Sequence, residues 1–402
     1  MTATLAPAAA AATSGRGLAP GHRFGRISSD THMDLICLPA DVFTSAATAD
    51  MKARMPYVAA DADGTRRWTA QNGARLGMVG GVGVLGEPYK PGANVRLDLM
   101  EATGYFSDSK QGIQRAADPH LRARDMDLDG VDAAVIYGIL GVAGRIADPP
   151  AAQQMLRIYN DWMADFCKHY PQRHIGLACL PHGDVAAAAA EVRRAARLGF
   201  RGVELACAWD MHPMWHPSWE PLWQALDETN LPVHFHTFPS LDFDRRHQFG
   251  QGTARAIFFT GVCVFQMHLA NLITAIIGSG VLERYRNVRL VFGESGIGWI
   301  PYLLDRMDFE WEDRFGDLNL RGKPSAYWKE RCHATYQIDP IGMKLLDEVG
   351  EDSILWGSDY PHPDGVWPQS VKSIAQQLGH ARPDLVHKIV YQNAARLYGL
   401  LA

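Results

Sequence analysis

"SSDTHMD", residues 28–34, sets Asp30, His32 and Asp34 two residues apart at the end of the β-rich run "RISSD" (26–30). Side chains at i and i+2 leave the same face of a strand, so Asp30 and His32 can aim at one point. Two readings fit the pair: half of a metal site, or the polar end of an ordinary strand. The rest of the chain bears on which. Seven more β-rich runs follow: "AAVIYG" (133–138), "HIGLACL" (174–180), "RGVEL" (201–205), "PVHFH" (232–236), "VRLVFGE" (288–294), "ATYQID" (334–339) and "ILWGSD" (354–359). Helical patterns separate several of them. The clearest is "VAAAAAEVRRAARLG" (185–199), Ala-rich with an Arg face and a glycine where a C-cap belongs. Eight strands alternating with helices predict an α/β fold, a (β/α)8 TIM barrel, although doubly wound sheets share the pattern.

Composition narrows the function. The chain has 402 residues, 47% hydrophobic content and a net charge of -5, which is ample for a large core. No Lys/Arg block is present, so a small-molecule substrate is expected and nucleic acid is not. Six cysteines form no CxxC pair and read as reduced thiols in a cytoplasm. Residues 1–25, rich in Ala, Pro and Gly, read as a disordered tail, leaving 26–402 as one barrel domain. Residues 35–118 break the rhythm with Gly, Pro and mixed charge and are expected to form an insertion or lid after the first strand. The longest apolar stretch (261–281) is interrupted by Gln266, His268 and Asn271, so a buried helix is expected in place of a membrane span.

The barrel places the polar strand ends together at its C-terminal mouth, where such enzymes do chemistry. Strand 5 ends with His234 and His236, strand 6 with Glu294, and strand 8 with Asp359 followed by His362. Buried carboxylates are costly unless a cation compensates them, and a metal supplies that charge. Several residues keep a second reading. His234 lies one layer deeper than His236 and reads equally as a hydrogen-bonded core histidine. His268 sits inside an apolar helix, Asp34 reads as a turn cap, and Glu204 as the partner of a neighbouring Arg. "AWDMHPMWHPSW" (208–219) reads as loop packing or as the wall of an apolar pocket. Arg245 and Arg246 read as a solvated pair or as phosphate contacts.

"ISSDTHMD", "LPVHFHTF", "VRLVFGESGIGWIPYLLDRMD", "LWGSDYPHPDG" and "NAARLYGL" resemble the amidohydrolase-related branch of the amidohydrolase superfamily, over about 27 to 400. The resemblance implies metal-dependent barrel chemistry, with Asp30, His32, His236 and Asp359 at the family's ligand positions. Decarboxylating relatives carry a histidine at the end of strand 6, where this sequence has Glu294. That departure counts against decarboxylation and makes the site rich in oxygen donors. Five to seven candidate ligands exceed the roughly three protein ligands of a catalytic zinc. The pattern is similar to a smaller branch of the family, the nonheme diiron monooxygenases of diterpenoid antibiotic biosynthesis. On that resemblance the expectation is two Fe ions held among Asp30, His32, His236, Glu294, Asp359, His234 and His268, with Asp359, Glu294 and His362 catalytic. The enzyme would hydroxylate an apolar, diterpenoid-like and CoA-linked intermediate using O2 and an external electron donor. No membrane is involved, and a homo-oligomer is compatible. The alternative is a mononuclear hydrolase or decarboxylase with one Zn or Mn ion, Asp359 as general base and Glu294 orienting a ligand.

Overall fold

All eight runs are strands in the computed structural model, which describes residues 25–82, 88–139, 141–209, 211–238 and 246–400. They are β1 (Ile27–His32), β2 (Ala133–Tyr137), β3 (His174–Gly176 and Ala178–Leu180), β4 (Val203–Leu205), β5 (Val233–His236), β6 (Leu290–Gly293), β7 (Cys332–Tyr336) and β8 (Ile354–Trp356). Each pairs in parallel with the next. Two irregular seams complete the ring. At Leu177, within β3, the backbone N–H bonds Ile136 on one side (3.0 Å), while the adjacent Ala178 N–H bonds Gly202 on the other (3.2 Å). Between the last strand and the first, the Asp359 N–H donates to the Asp30 carbonyl (2.9 Å) and the His32 N–H to the Tyr360 carbonyl (2.7 Å). The result is the expected (β/α)8 barrel.

Helices form where the sequence signals them. Val185–Leu198 begins at Asp184, whose carboxylate accepts the Ala187 N–H, and stops at Gly199 with φ 85°. Inside the barrel, Ile27, Val135, Ile175, Leu177, Val291 and Leu355 pack against Ala394, Leu397 and Tyr398 of the C-terminal segment. That apolar plug leaves the opposite end of the barrel for polar groups.

The stretch 35–118 is more ordered than its composition suggests. It carries a three-stranded antiparallel sheet (Tyr57–Ala60, Arg66–Thr69, Arg75–Met78) with Trp68 fully buried against Phe43. A helix, Val95–Ala102, starts at Asn94, whose amide also reaches the Pro363 carbonyl, and the Arg96 guanidinium bonds the Asp364 carbonyl. The insertion is thereby tied to the turn after β8.

The expectation of a buried apolar helix holds for only half of that region. Leu269, Ile273, Ile276 and Ile277 of Leu269–Gly278 are buried, whereas Gly261 is the one buried residue of Gln251–Val264. Arg246 is buried, contrary to a solvated pair, with its guanidinium 5.9 Å from the Phe258 ring; Arg245 lies outside the described residues. The expected tail, apart from Gly25, lies outside them as well.

Asp129, at the end of the helix Pro119–Asp129, accepts bonds from the Ser370 N–H (2.8 Å) and hydroxyl (2.5 Å). Burial pushes its carboxyl up to about 7 against the pull of those bonds. An unfolded chain titrates near pH 4, so between about pH 4 and 7 the folded state holds a proton the unfolded state has lost. Stability from this group therefore falls as pH rises through that window. Asp129→Asn is expected to flatten the dependence of the urea midpoint on pH between 5 and 7; an unchanged slope would count against it.

Candidate metal centre

The seam between β8 and β1 brings the first and last polar strand ends face to face. Gly357 makes this approach possible, since a Cβ there would stand 2.5 Å from the Asp30 Cβ. The Asp30 Oδ2 atom is fixed by the Glu294 N–H and the Thr335 hydroxyl, both at 2.7 Å. Its Oδ1 is left facing the mouth, 3.3 Å from His32 Nε2 and 3.8 Å from His236 Nε2. Asp359 Oδ1 lies 2.8 Å from His32 Nε2. His236 Nδ1 faces the Thr237 carbonyl at 3.2 Å, an arrangement that keeps the proton on Nδ1 and turns the Nε2 lone pair inward.

These atoms crowd without bonding. Asp30 Oδ1, His32 Nε2, His236 Nε2 and both Asp359 carboxylate oxygens are buried, and none finds hydrogen-bond geometry despite the short distances. Buried polar atoms rarely lack a partner, and a shared cation is the partner that suits several lone pairs converging on one point. The ligating atoms of Asp30, His32 and His236 lie within 4.8 Å of one another, as do those of Glu294, Asp359 and His362, and those of His32, Asp34 and His362. Imidazoles mixed with carboxylates fit manganese or zinc.

Electrostatics without an ion show the same crowding. Burial disfavours a charged His32, as does His362, yet Asp30 and Asp359 outweigh them and raise it to about 9. Burial and the charge of Asp359 push the Glu294 carboxyl well above the usual range. Asp359 is held low, because His362 and His32 overcome its burial. Protons thus do the work that a cation would take over on binding. The backbone carries strain at the same place. Glu294 (φ 49°) and Asp359 (φ 58°) are two of the three non-glycine residues with left-handed backbone among those described, a conformation that concentrates at functional sites.

The structure gathers Asp30, His32, His236, Glu294, Asp359 and His362 and sets two expected ligands apart. His234 Nδ1 lies 2.9 Å from the Tyr137 hydroxyl and Nε2 3.4 Å from that of Tyr398, so both its nitrogens face the barrel interior. His268 Nδ1 faces the Phe238 carbonyl at 3.0 Å, and its ring packs on Trp209 and Phe238. Asp34 is more than a turn cap: its Oδ2 sits 2.9 Å from His362 Nε2, while His362 Nδ1 is 3.1 Å from Asp359 Oδ1 and its ring stacks on His32 at 3.8 Å. The regular spacing of 30, 32 and 34 was the available signal for it. Among the described residues Glu204 pairs with no arginine; it accepts the Gly138 N–H at 2.7 Å. In 208–219, Trp219 is buried and donates to the His212 carbonyl, as loop packing requires.

A family model described as Amidohydrolase matches residues 108–400. The chain belongs to the amidohydrolase family. A curated relative, gamma-resorcylate decarboxylase of a Polaromonas species, is 26% identical over 283 residues, 65% of this chain and 84% of its own length. Among solved structures, an amidohydrolase from Mycobacterium avium subsp. paratuberculosis superposes with TM-score 0.73 at 18% identity, covering 95% of this chain and 99% of its own. The 5-carboxyvanillate decarboxylase of Novosphingobium aromaticivorans, complexed with manganese and 4-hydroxy-3-methoxy-5-nitrobenzoic acid, gives 0.62 at 20% identity over 94% and 96%. These findings overturn the expected diiron monooxygenase. Gamma-resorcylate decarboxylase and 5-carboxyvanillate decarboxylase release CO2, a reaction that consumes neither O2 nor electrons, and the latter's structure holds manganese, so a pair of irons, an electron donor and antibiotic biosynthesis find no support. The glutamate at the end of strand 6 thus does not separate this chain from the decarboxylases it is similar to.

His236→Ala and Asp359→Ala are each expected to lose most of the bound divalent ion with the fold retained, whereas His234→Ala and His268→Ala keep it. Metal per chain after dialysis, alongside circular dichroism, checks this; full metal content in the first two would contradict the site.

Proposed function

We propose that this protein is a metal-dependent decarboxylase that releases CO2 from a small, conjugated carboxylic acid, with one divalent ion, manganese or zinc, held by Asp30, His32, His236 and Asp359. The observation that carries the reading is the convergence of unpartnered buried oxygen and nitrogen atoms at the barrel mouth, in a chain similar to decarboxylases. The bound ion would supply positive charge for the substrate's carboxylate and neighbouring oxygen.

The residues then divide the remaining work. Asp30, locked by Thr335 and the Glu294 N–H, fixes the geometry of the ion's other partners. His362, between Asp34 and Asp359, sets the orientation of the Asp359 carboxylate. Loss of CO2 leaves an electron pair on carbon that must take a proton. Glu294, with its Oε2 3.5 Å from His236 Nε2 and a hydrogen bond from the Thr237 hydroxyl at 3.3 Å, stands at the mouth as the acid that gives it. A neutral acid also spares the substrate's carboxylate a repulsive neighbour. We read 26–402 as one catalytic domain and the insertion, held to the 359–364 turn by Asn94 and Arg96, as the wall or lid that keeps water from the carbanion.

The test is CO2 release from hydroxylated aromatic acids, gamma-resorcylate and 5-carboxyvanillate among them, by manganese-loaded protein. Wild type is expected to turn over at least one of this class. Glu294→Gln should lower kcat by about 100-fold, within the range for loss of a general acid, with KM little changed. No CO2 from any such acid by the fully loaded protein, or an unaltered kcat in Glu294→Gln, would defeat the reading.

A further inference from the structure

The clusters of candidate ligands come from β1, β5, β6, β8 and the turns that follow them, and the arc from β2 to β4 adds none. That arc carries a recess of its own, walled by the C-terminal ends of β2, β3 and β4 and the residues just beyond. Ile139, Ala143, Leu180 and Ala206 make the recess largely apolar, and it has room for about one group the size of a water molecule. Glu204 supplies its acid, with Cys179 and the partly exposed His182 also in the lining.

Glu204 is 1% exposed, and its two oxygens fare differently. Oε2 accepts the Gly138 N–H at 2.7 Å and has the Cys179 thiol 3.9 Å away, whereas Oε1 is buried and has no hydrogen-bond partner among the described residues. A buried carboxyl oxygen left without a donor is costly, and the recess is where a donor can enter. Burial pushes this carboxyl up to about 7 against the pull of the Gly138 N–H and of His32, so the protein's own groups leave its charge poorly compensated. The strand ladder sets its height. Tyr137 pairs with His32 across β2 and β1, so Gly138, one residue further on, and the carboxyl it binds stand at the level of the metal-binding imidazole or just beyond it.

The chemistry of the recess selects its occupant. A resident water would need about two to four polar partners, and apolar walls offer few. An ammonium group would bring a second charge into those walls, while a hydroxyl brings a donor and no charge. We propose that the recess receives a hydroxyl substituent of the substrate, borne away from the carboxylate that is lost, and that this hydroxyl donates to Glu204 Oε1. On the decarboxylase reading, on which this assignment rests, the ion grips one end of the substrate and Glu204 the other. An acid lacking the hydroxyl leaves Oε1 buried and unpaired, which makes Glu204 a specificity-determining residue.

Calorimetric titration of the manganese-loaded protein with 3- and 4-hydroxybenzoate, and with 3- and 4-fluorobenzoate, is the experiment. Fluorine is close to a hydroxyl in size and cannot donate. Wild type is expected to bind one of the hydroxy acids at least ~10-fold more tightly than its fluoro counterpart, the scale of a hydrogen bond to a charged acceptor. Glu204→Gln keeps an acceptor for the Gly138 N–H and turns an amide NH2 to the recess, so the two affinities should become nearly equal. Ala206→Val, which fills the recess and leaves Glu204 in place, should have the same effect. Circular dichroism matching wild type shows that each variant is folded. Equal affinities in wild type overturn the proposal, as does a preference that persists in both variants; if CO2 is still released from hydroxylated acids, the decarboxylase reading stands. Failure of all four acids to bind the loaded protein, together with no CO2 release, overturns both.

Discussion

The Asp359 N–H bonds the Asp30 carbonyl, and the His32 N–H bonds the carbonyl of Tyr360. These two bonds close the ring between its last and first strands, and in doing so they force Asp30, His32 and Asp359 into one another's company. Fold and site therefore share a single constraint. Gly357 marks how tight it is, because any side chain there would collide with Asp30. What the seam creates is an electrostatic debt at the mouth: carboxylates buried at close range, imidazoles between them, and atoms left without partners. Protons can settle part of it, as the raised His32 shows, and a divalent ion settles it better.

Around that constraint the molecule separates its two ends. The lower interior is filled by aliphatic side chains and sealed by Tyr398 and its neighbours, and His234 belongs to this layer through Tyr137 and Tyr398. One residue pair further along the same strand, His236 belongs to the other layer. Left-handed backbone at Glu294 and Asp359 turns both carboxylates toward the mouth, at a cost that only a tightly determined surrounding can sustain.

Much of this was legible in the sequence. The alternation of strands and helices named the barrel, and the i, i+2 spacing of Asp30 with His32 and of His234 with His236 marked the strand ends. Donor counting failed where direction mattered. Composition cannot tell that His268 turns to a backbone carbonyl, that His234 is claimed by two tyrosines, or that Asp34 reaches His362 across 328 positions of chain. Adding His234 and His268 to the donor count pointed toward two irons, the part of the expectation that the similarity to decarboxylases overturns. The insertion was hidden for another reason: its strands are four residues each, with buried and exposed positions that do not alternate, too short for periodicity to register. The exposed apolar helix read as core because hydrophobicity reports what a segment avoids and is silent on what covers it.

The central claim is that one divalent ion sits where the strand ends converge. Anomalous diffraction at the manganese edge, from crystals grown with manganese, locates it directly. The account predicts a single strong peak bounded by Asp30, His32, His236 and Asp359. A peak at His234 or His268, or none at the barrel mouth, would contradict it.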